Sequence, residues 1–280
     1  DDAVNWRGVG VAALAVAVVF ALAVGGLWVL GQQRVTATTD STYEYRVSLS
    51  TDRSLENATF YVPAPTDDGA ANLTGRFVAD VTYDRDTPAI QGYDPDPAPV
   101  NFTYATVETD HGRMLAVSAD RVTVSRVYYR EVENETMGWR ERIDPADYDP
   151  ADPSMGVRDD GSFTFTVTVA ADEEVETADP EGAAPLLVPQ YDRTSVACDY
   201  GLTDAHRCYS YESRVYARYD AAPDATVYVR TDLSGRNEWF SGGWTGNEYR
   251  QDAAVELRGP GTGWYVAPGS LEVGSGRYRS

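Results

Sequence analysis

The sequence predicts an all-β ectodomain, an antiparallel β-sandwich, preceded by one N-terminal transmembrane α-helix. Three observations predict it. Residues Gly8 to Gly31 form an uncharged run of 24, made almost entirely of Ala, Val, Leu and Gly. Beyond Arg34 the apolar period becomes two, the signature of strands with one buried face. Gly, Pro, Asn and Asp punctuate these alternating runs, and no amphipathic helix is legible after residue 35.

Residues 1–7 read as a short cytoplasmic tail and 8–31 as the span. At 1.5 Å per residue the span rises about 36 Å, enough to cross a hydrocarbon core of about 30 Å with some tilt. Trp6 and Trp28 stand near its two ends, where amphipathic rings favour the interfaces. The run exceeds the apolar region of about 7–15 residues in a signal peptide, so an uncleaved anchor is expected. Ala13, Ala17, Ala21 and Gly25 recur every fourth residue. Such a ridge lets a membrane helix approach a partner helix closely, although an Ala-rich segment produces the spacing by composition alone.

A first β-rich extracytoplasmic region is expected over 32–142. Tyr43, Tyr45, Val47 and Leu49 alternate there with Glu44, Arg46 and Ser48. Weaker runs lie near 57–62, 76–83, 100–108, 113–118 and 121–131. The stretch 143–160, rich in Pro and Asp, reads as a linker or long loop. A second β-rich region follows over 161–280. Phe163, Phe165, Val167 and Val169 alternate with threonines, and Val227, Val229, Thr231 and Leu233 with Tyr228, Arg230 and Asp232. Weaker runs lie near 211–219, 246–258 and 263–267. The part beyond the span is longer than one minimal immunoglobulin-like sandwich of about 100 residues. Tandem modules divided at 143–160 are therefore expected, with one large sandwich as the alternative.

Charge is the second large signal. The chain has 28 Asp, 16 Glu, 23 Arg and no Lys, a net charge of −21. Such a surface repels nucleic acid, which excludes that partner class. It also repels itself in ordinary salt, and at molar salt the Debye length of about 3 Å screens that repulsion. Arginine can fork onto carboxylates where lysine cannot. The combination fits adaptation to high salt. Carboxylate pairs are so common here that none reads as an acid–base dyad. The run Asp144-Pro-Ala-Asp147-Tyr-Asp149-Pro-Ala-Asp152 lacks the spacing and terminal Glu of an EF-hand loop, and reads as solvated and Pro-stiffened.

Four glycosylation sequons, at Asn57, Asn72, Asn101 and Asn134, point the large domain outward. The two cysteines, Cys198 and Cys208, favour one disulfide in an oxidising compartment. The rival reading makes Cys198, His206 and Cys208 metal ligands with Asp204 as a fourth, but tetrahedral zinc usually takes tighter Cys spacing. The histidines, His111 and His206, read as surface or loop residues. No nucleophile elbow, phosphate-binding glycine loop or zinc-protease motif is present. Neither a catalytic residue, a metal nor a cofactor is assigned, and a non-enzymatic role is expected.

The best binding candidate lies within 235–266. Trp239, Trp244 and Trp264 could present flat rings to a sugar, with Asn237 and Asn247 (and Glu238 and Glu248) as polar neighbours. The competing reading is that the tryptophans fill a sandwich core and the glycines make hairpin turns.

The wording Leu55-Glu-Asn-Ala-Thr-Phe-Tyr-Val-Pro-Ala-Pro65, then Cys208-Tyr-Ser-Tyr211, then Gly235-Arg-Asn-Glu-Trp-Phe240 and Gly242-Gly-Trp-Thr-Gly-Asn-Glu-Tyr-Arg250 resembles an uncharacterised family of haloarchaeal membrane-anchored surface proteins. The resemblance covers most of 35–277. It implies a surface location and a β-rich domain, and carries over no functional residue. An apolar N-terminal helix before a β-sandwich is more weakly similar to archaeal type IV pilins. The expected protein is thus single-pass, with its N-terminus inside and C-terminal domain outside. Its expected role is structural or interactive, with a membrane protein or a surface glycan as partner. The alternatives are a glycan-binding module and a filament subunit.

Overall fold

The computed structural model describes residues 39–66, 72–85, 100–133, 138–198, 204, 206–240 and 243–278, with backbone alone at 83–85 and 159–160. The apolar run 8–31, and with it Ala13, Ala17, Ala21 and Gly25, lies outside the described residues, as does Asn134. Among the described residues no helix is long and apolar enough to cross a membrane.

In chain order the elements are β1 (Asp40–Thr51), β2 (Leu55–Pro65), α1 (Leu73–Asp80), β3 (Thr82–Arg85), β4 (Thr103–Thr109), β5 (Gly112–Val122), β6 (Ser125–Glu133), β7 (Gly138–Arg142) and β8 (Met155–Asp160). Then come β9 (Ser162–Ala170), β10 (Leu187–Val188), β11 (Tyr191–Val196), β12 (Arg207–Asp220), β13 (Thr226–Phe240), β14 (Trp244–Arg258) and β15 (Gly261–Gly276). The three clearest alternating runs of the sequence became β1, β9 and β13. The domain is all-β and antiparallel, as expected.

Twelve strands form one sheet in the order β3-β9-β1-β13-β14-β15-β12-β2-β5-β4, with β10 beside β2 and β11 beside β12. Its two ends fold toward each other. Phe102, just before β4, packs edge-on against Phe163 and Phe165 of β9, with ring centroids 5.4 and 4.7 Å apart. Tyr45 of β1 donates its hydroxyl to the Pro63 carbonyl of β2 at 2.7 Å. Helix α1 lies at this junction, with the Phe77 ring between Tyr45 and Tyr104. One continuous core results. Burying an aromatic such as Phe77, Phe163 or Phe165 contributes about 1.5–3 kcal/mol.

Two expectations are corrected. Tandem modules do not form, because β1 pairs with both β9 and β13 and so joins residues from either side of 143–160 in one sheet. That stretch lies within an excursion between β5 and β9, in which β6, β7 and β8 make a separate three-stranded sheet. Its aspartates form turns: the carboxylates of Asp144, Asp149 and Asp152 accept the N–H groups of Ala146, Ala151 and Ser154 at 2.8, 2.8 and 2.9 Å. The strand expected near 76–83 is largely α1. Leu73 and Phe77, four apart, put both apolar side chains on the buried face of a helix too short to announce its period.

Candidate interaction surfaces

Two of the polar candidates of the 235–266 stretch, Asn237 and Asn247, point inward, while Glu238 and Glu248 pair with arginines at the surface. Asn237 and Asn247 are opposite residues of β13 and β14, and both are buried. The Asn237 amide nitrogen donates to Val175 O and to Asn247 Oδ1, each at 2.8 Å. Its Oδ1 accepts the Val175 N–H at 2.8 Å and the Ser41 hydroxyl at 2.7 Å. Asn247 Oδ1 also accepts from the Thr177 hydroxyl at 2.7 Å, and its nitrogen donates to Arg277 O at 3.1 Å. All four hydrogen-bonding positions of the Asn237 amide are filled. These asparagines take the chain's own groups as partners: the Val175 backbone, the Ser41 and Thr177 hydroxyls and the Arg277 carbonyl. They are not an external binding site.

The same device continues along the interior. Gln251 accepts the Leu187 N–H at 2.7 Å and donates to its carbonyl at 3.2 Å, in the manner of a strand neighbour. Tyr249 donates to Pro185 O and Ser213 to Pro189 O, both at 2.7 Å. Gly235 is needed here because a Cβ would strike the Tyr249 ring. The segment between β9 and β11 is thereby stitched to the inner face, with Val175, Thr177 and Leu187 buried. Burial pushes the Tyr249 hydroxyl well above its ordinary pKa, and raises those of Tyr45 and Tyr211 likewise.

The three tryptophans do not converge. Trp239 is core, 4% exposed. Trp244 stands 71% exposed at the start of β14, with the Phe240 ring 6.0 Å away. Trp264 sits toward the other end of β15, 39% exposed, in an outward row that the sequence did not reveal. Tyr61 of β2, Tyr216 of β12 and Trp264 of β15 occupy opposed positions on three adjacent strands. Tyr61 and Tyr216 stack at 4.8 Å, and Trp264 meets Tyr216 at 5.4 Å. His111, in the turn between β4 and β5, sets its ring 4.5 Å from Trp264 and hydrogen-bonds the Tyr191 hydroxyl through Nδ1 at 3.0 Å. Strand alternation puts Tyr61 and Tyr216 outward, between buried neighbours. Their register is non-local and needed the fold.

A polar groove of about 480 Å³ runs over the outer face of β9, β1, β13, β14 and β15. Its arginines are all paired. Arg46 pairs with Glu44 at 2.7 Å, Arg250 with Glu248 at 2.9 Å, and Arg230 reaches Asp232 at 2.7 Å and Asp252 at 3.4 Å. Arg230 forks through Nε and Nη2 onto one oxygen of Asp232, and this hydrogen bond raises its pKa further. These are local ion pairs at the surface, exposed or half-buried, each worth about 0–1 kcal/mol.

Cys198 and Cys208 form the expected disulfide. It consumes both thiolates that the metal reading required, although His206 Nε2 lies 3.8 Å from the Cys208 sulfur. Of the sequons, Asn57, Asn72 and Asn101 are exposed. Asn57 and Asn72 both have positive φ, and the Asn57 amide donates to Asp220 at 3.0 Å. No family model matches the chain, and neither a curated protein nor a solved structure matches it.

Proposed function

We propose that this chain is a single-pass membrane protein whose β domain stands outside the membrane as a structural or interaction module of a haloarchaeal cell surface. The observation that carries the reading is the 24-residue apolar run, which ends eight residues before the described domain begins at Thr39. The disulfide supports an oxidising compartment. Exposed sequons on the same domain support an outward face, and the −21 charge supports a high-salt setting. In this reading a membrane helix precedes one large rolled sandwich. Protease added to intact cells is expected to remove the domain and leave the 8–31 segment in the membrane. A domain degraded only after lysis would overturn the orientation. Recovery in sheared filaments, with none in the membrane, would favour a filament subunit.

A second reading has its own observation. The outward row of Tyr61, Tyr216 and Trp264, with His111 beside it, combines apolar ring surface with ring and hydroxyl polar atoms, the chemistry that recognises sugars. This replaces the three-tryptophan site as the glycan candidate. Glycan-array binding by the full chain that Trp264→Ala abolishes would support it. Binding that survives this change would refute it.

A further inference from the structure

We propose that the tip of the β13–β14 hairpin, through Phe240 and Trp244, rests in the interfacial layer of the same membrane that holds the N-terminal span. The inference depends on the anchor reading above and assigns a role to aromatic rings that the interior does not use. Phe240 and Trp244 face each other across the hairpin and are 49% and 71% exposed. Exposed large rings in contact with each other are uncommon on a surface that only meets water.

Register fixes where this tip lies. Asp40, the first residue of β1, pairs with Glu238, two residues before Phe240. The chain therefore enters the sheet beside the hairpin tip. The eight residues 32–39 extend at most about 28 Å, so this end of the domain stays close to the end of the apolar run. Trp264 is twelve residues along β15 from Gly276, which pairs with Asn247 near the tip, and so lies roughly 40 Å toward the far end.

Charge makes the same distinction. In a chain of net charge −21, the nine residues Trp239 to Asn247 carry none. The carboxylates on either side, Glu238 and Glu248, are paired with Arg236 at 3.4 Å and Arg250 at 2.9 Å. The rest of an acidic domain is repelled by anionic headgroups, while this tip brings apolar rings flanked by two arginine-paired carboxylates. Tryptophan is suited to such a layer, since its ring is apolar and its N–H can remain hydrated. The two contacts, helix and tip, would hold the domain at a set tilt and not as a free tether.

The test uses the full chain reconstituted in phosphatidylcholine–phosphatidylglycerol vesicles in molar KCl, with a lipid carrying a photoactivatable group near its carbonyl. Tryptic peptides 8–34, 237–250 and 259–277 are compared by mass spectrometry after illumination. Lipid adducts are expected on 8–34 and on 237–250, at least fivefold above 259–277, which carries the exposed Trp264. The double substitution Phe240→Ser and Trp244→Ser should lower the 237–250 adducts at least fivefold while flotation and the 8–34 adducts persist. Adducts on 8–34 with 237–250 no higher than 259–277 overturn the tip contact and leave the anchor standing. A full chain that fails to float with vesicles overturns both.

Discussion

Asn237 donates to Asn247 Oδ1 at 2.8 Å across opposite positions of β13 and β14, inside the rolled sheet. Through this pair the sheet holds the backbone of Val175, the hydroxyl of Thr177 and the carbonyl of Arg277. A buried polar pair of this kind is stabilising only while every member is satisfied. Asn237→Ala leaves the Val175 N–H and C=O without their partner, and each orphaned group costs about 1–3 kcal/mol. A loss of roughly 2–4 kcal/mol in denaturant unfolding is expected. A change below about 0.5 kcal/mol would show that the segment is held by packing alone.

The tryptophans should separate sharply in stability measurements. Trp239→Ala removes a buried ring and is expected to cost about 3–5 kcal/mol. Trp264→Ala loses its contacts with Tyr216 and His111, worth about 0.5–1.5 kcal/mol. Trp244→Ala, at the exposed tip, should leave the thermal midpoint within error. Equal costs at Trp239 and Trp244 would contradict their assigned positions.

Reduction of Cys198–Cys208 is expected to lower stability by about 2–3 kcal/mol, the closure entropy of a short loop. The effect should be local. Hydrogen exchange should rise around β11 and the start of β12 and remain unchanged in β1 and β13. A reduced protein as stable as the oxidised one would assign the pair no structural role.

Alkaline pH should weaken the fold before acid does so through these groups. Burial raises the pKa of Tyr45, Tyr211 and Tyr249, and pushes that of Tyr219 up to about 12. For each, the folded pKa exceeds the unfolded value near 10, so the folded state holds the proton more tightly. The stability linked to these groups is complete below pH 10 and is lost as pH rises from about 10 through 12. Thermal midpoints between pH 8 and 11 check the sign. A midpoint that rises over that range would contradict it.

Salt dependence tests the charge argument. Lowering KCl from molar to about 0.1 M lengthens the Debye length from about 3 to about 10 Å and exposes the self-repulsion of a chain at −21. The unfolding midpoint of the full chain is expected to fall. An unchanged midpoint would mean that the matched pairs, such as Arg230 with Asp232 and Asp252, already neutralise the surface.

Much of the fold could be read locally. The alternation in Tyr43–Leu49, Phe163–Val169 and Val227–Leu233 depends only on the two-residue pleat, and each run proved to be a strand with that face buried. Helix α1 escaped because its eight residues hold one apolar i, i+4 pair, Leu73 with Phe77, which an alternating reading absorbs. The disulfide was legible because two cysteines allow one intramolecular pairing. Asn237 and Asn247 were misread for a physical reason: an amide that binds a ligand and one that binds its own backbone have the same chemistry, and only position separates them.

By itself, the sequence determined the strand class, the single cysteine bridge, the acidic surface and the apolar run before the domain, because each follows from composition or from neighbours along the chain. The tertiary structure decided that the strands on both sides of 143–160 share one sheet, that Trp239 is core while Phe240 and Trp244 project, and that Tyr61, Tyr216 and Trp264 form a row. Those outcomes depend on which distant strands pair and in what register. Pairing is settled by the joint burial of faces remote in sequence, and no local window contains that information.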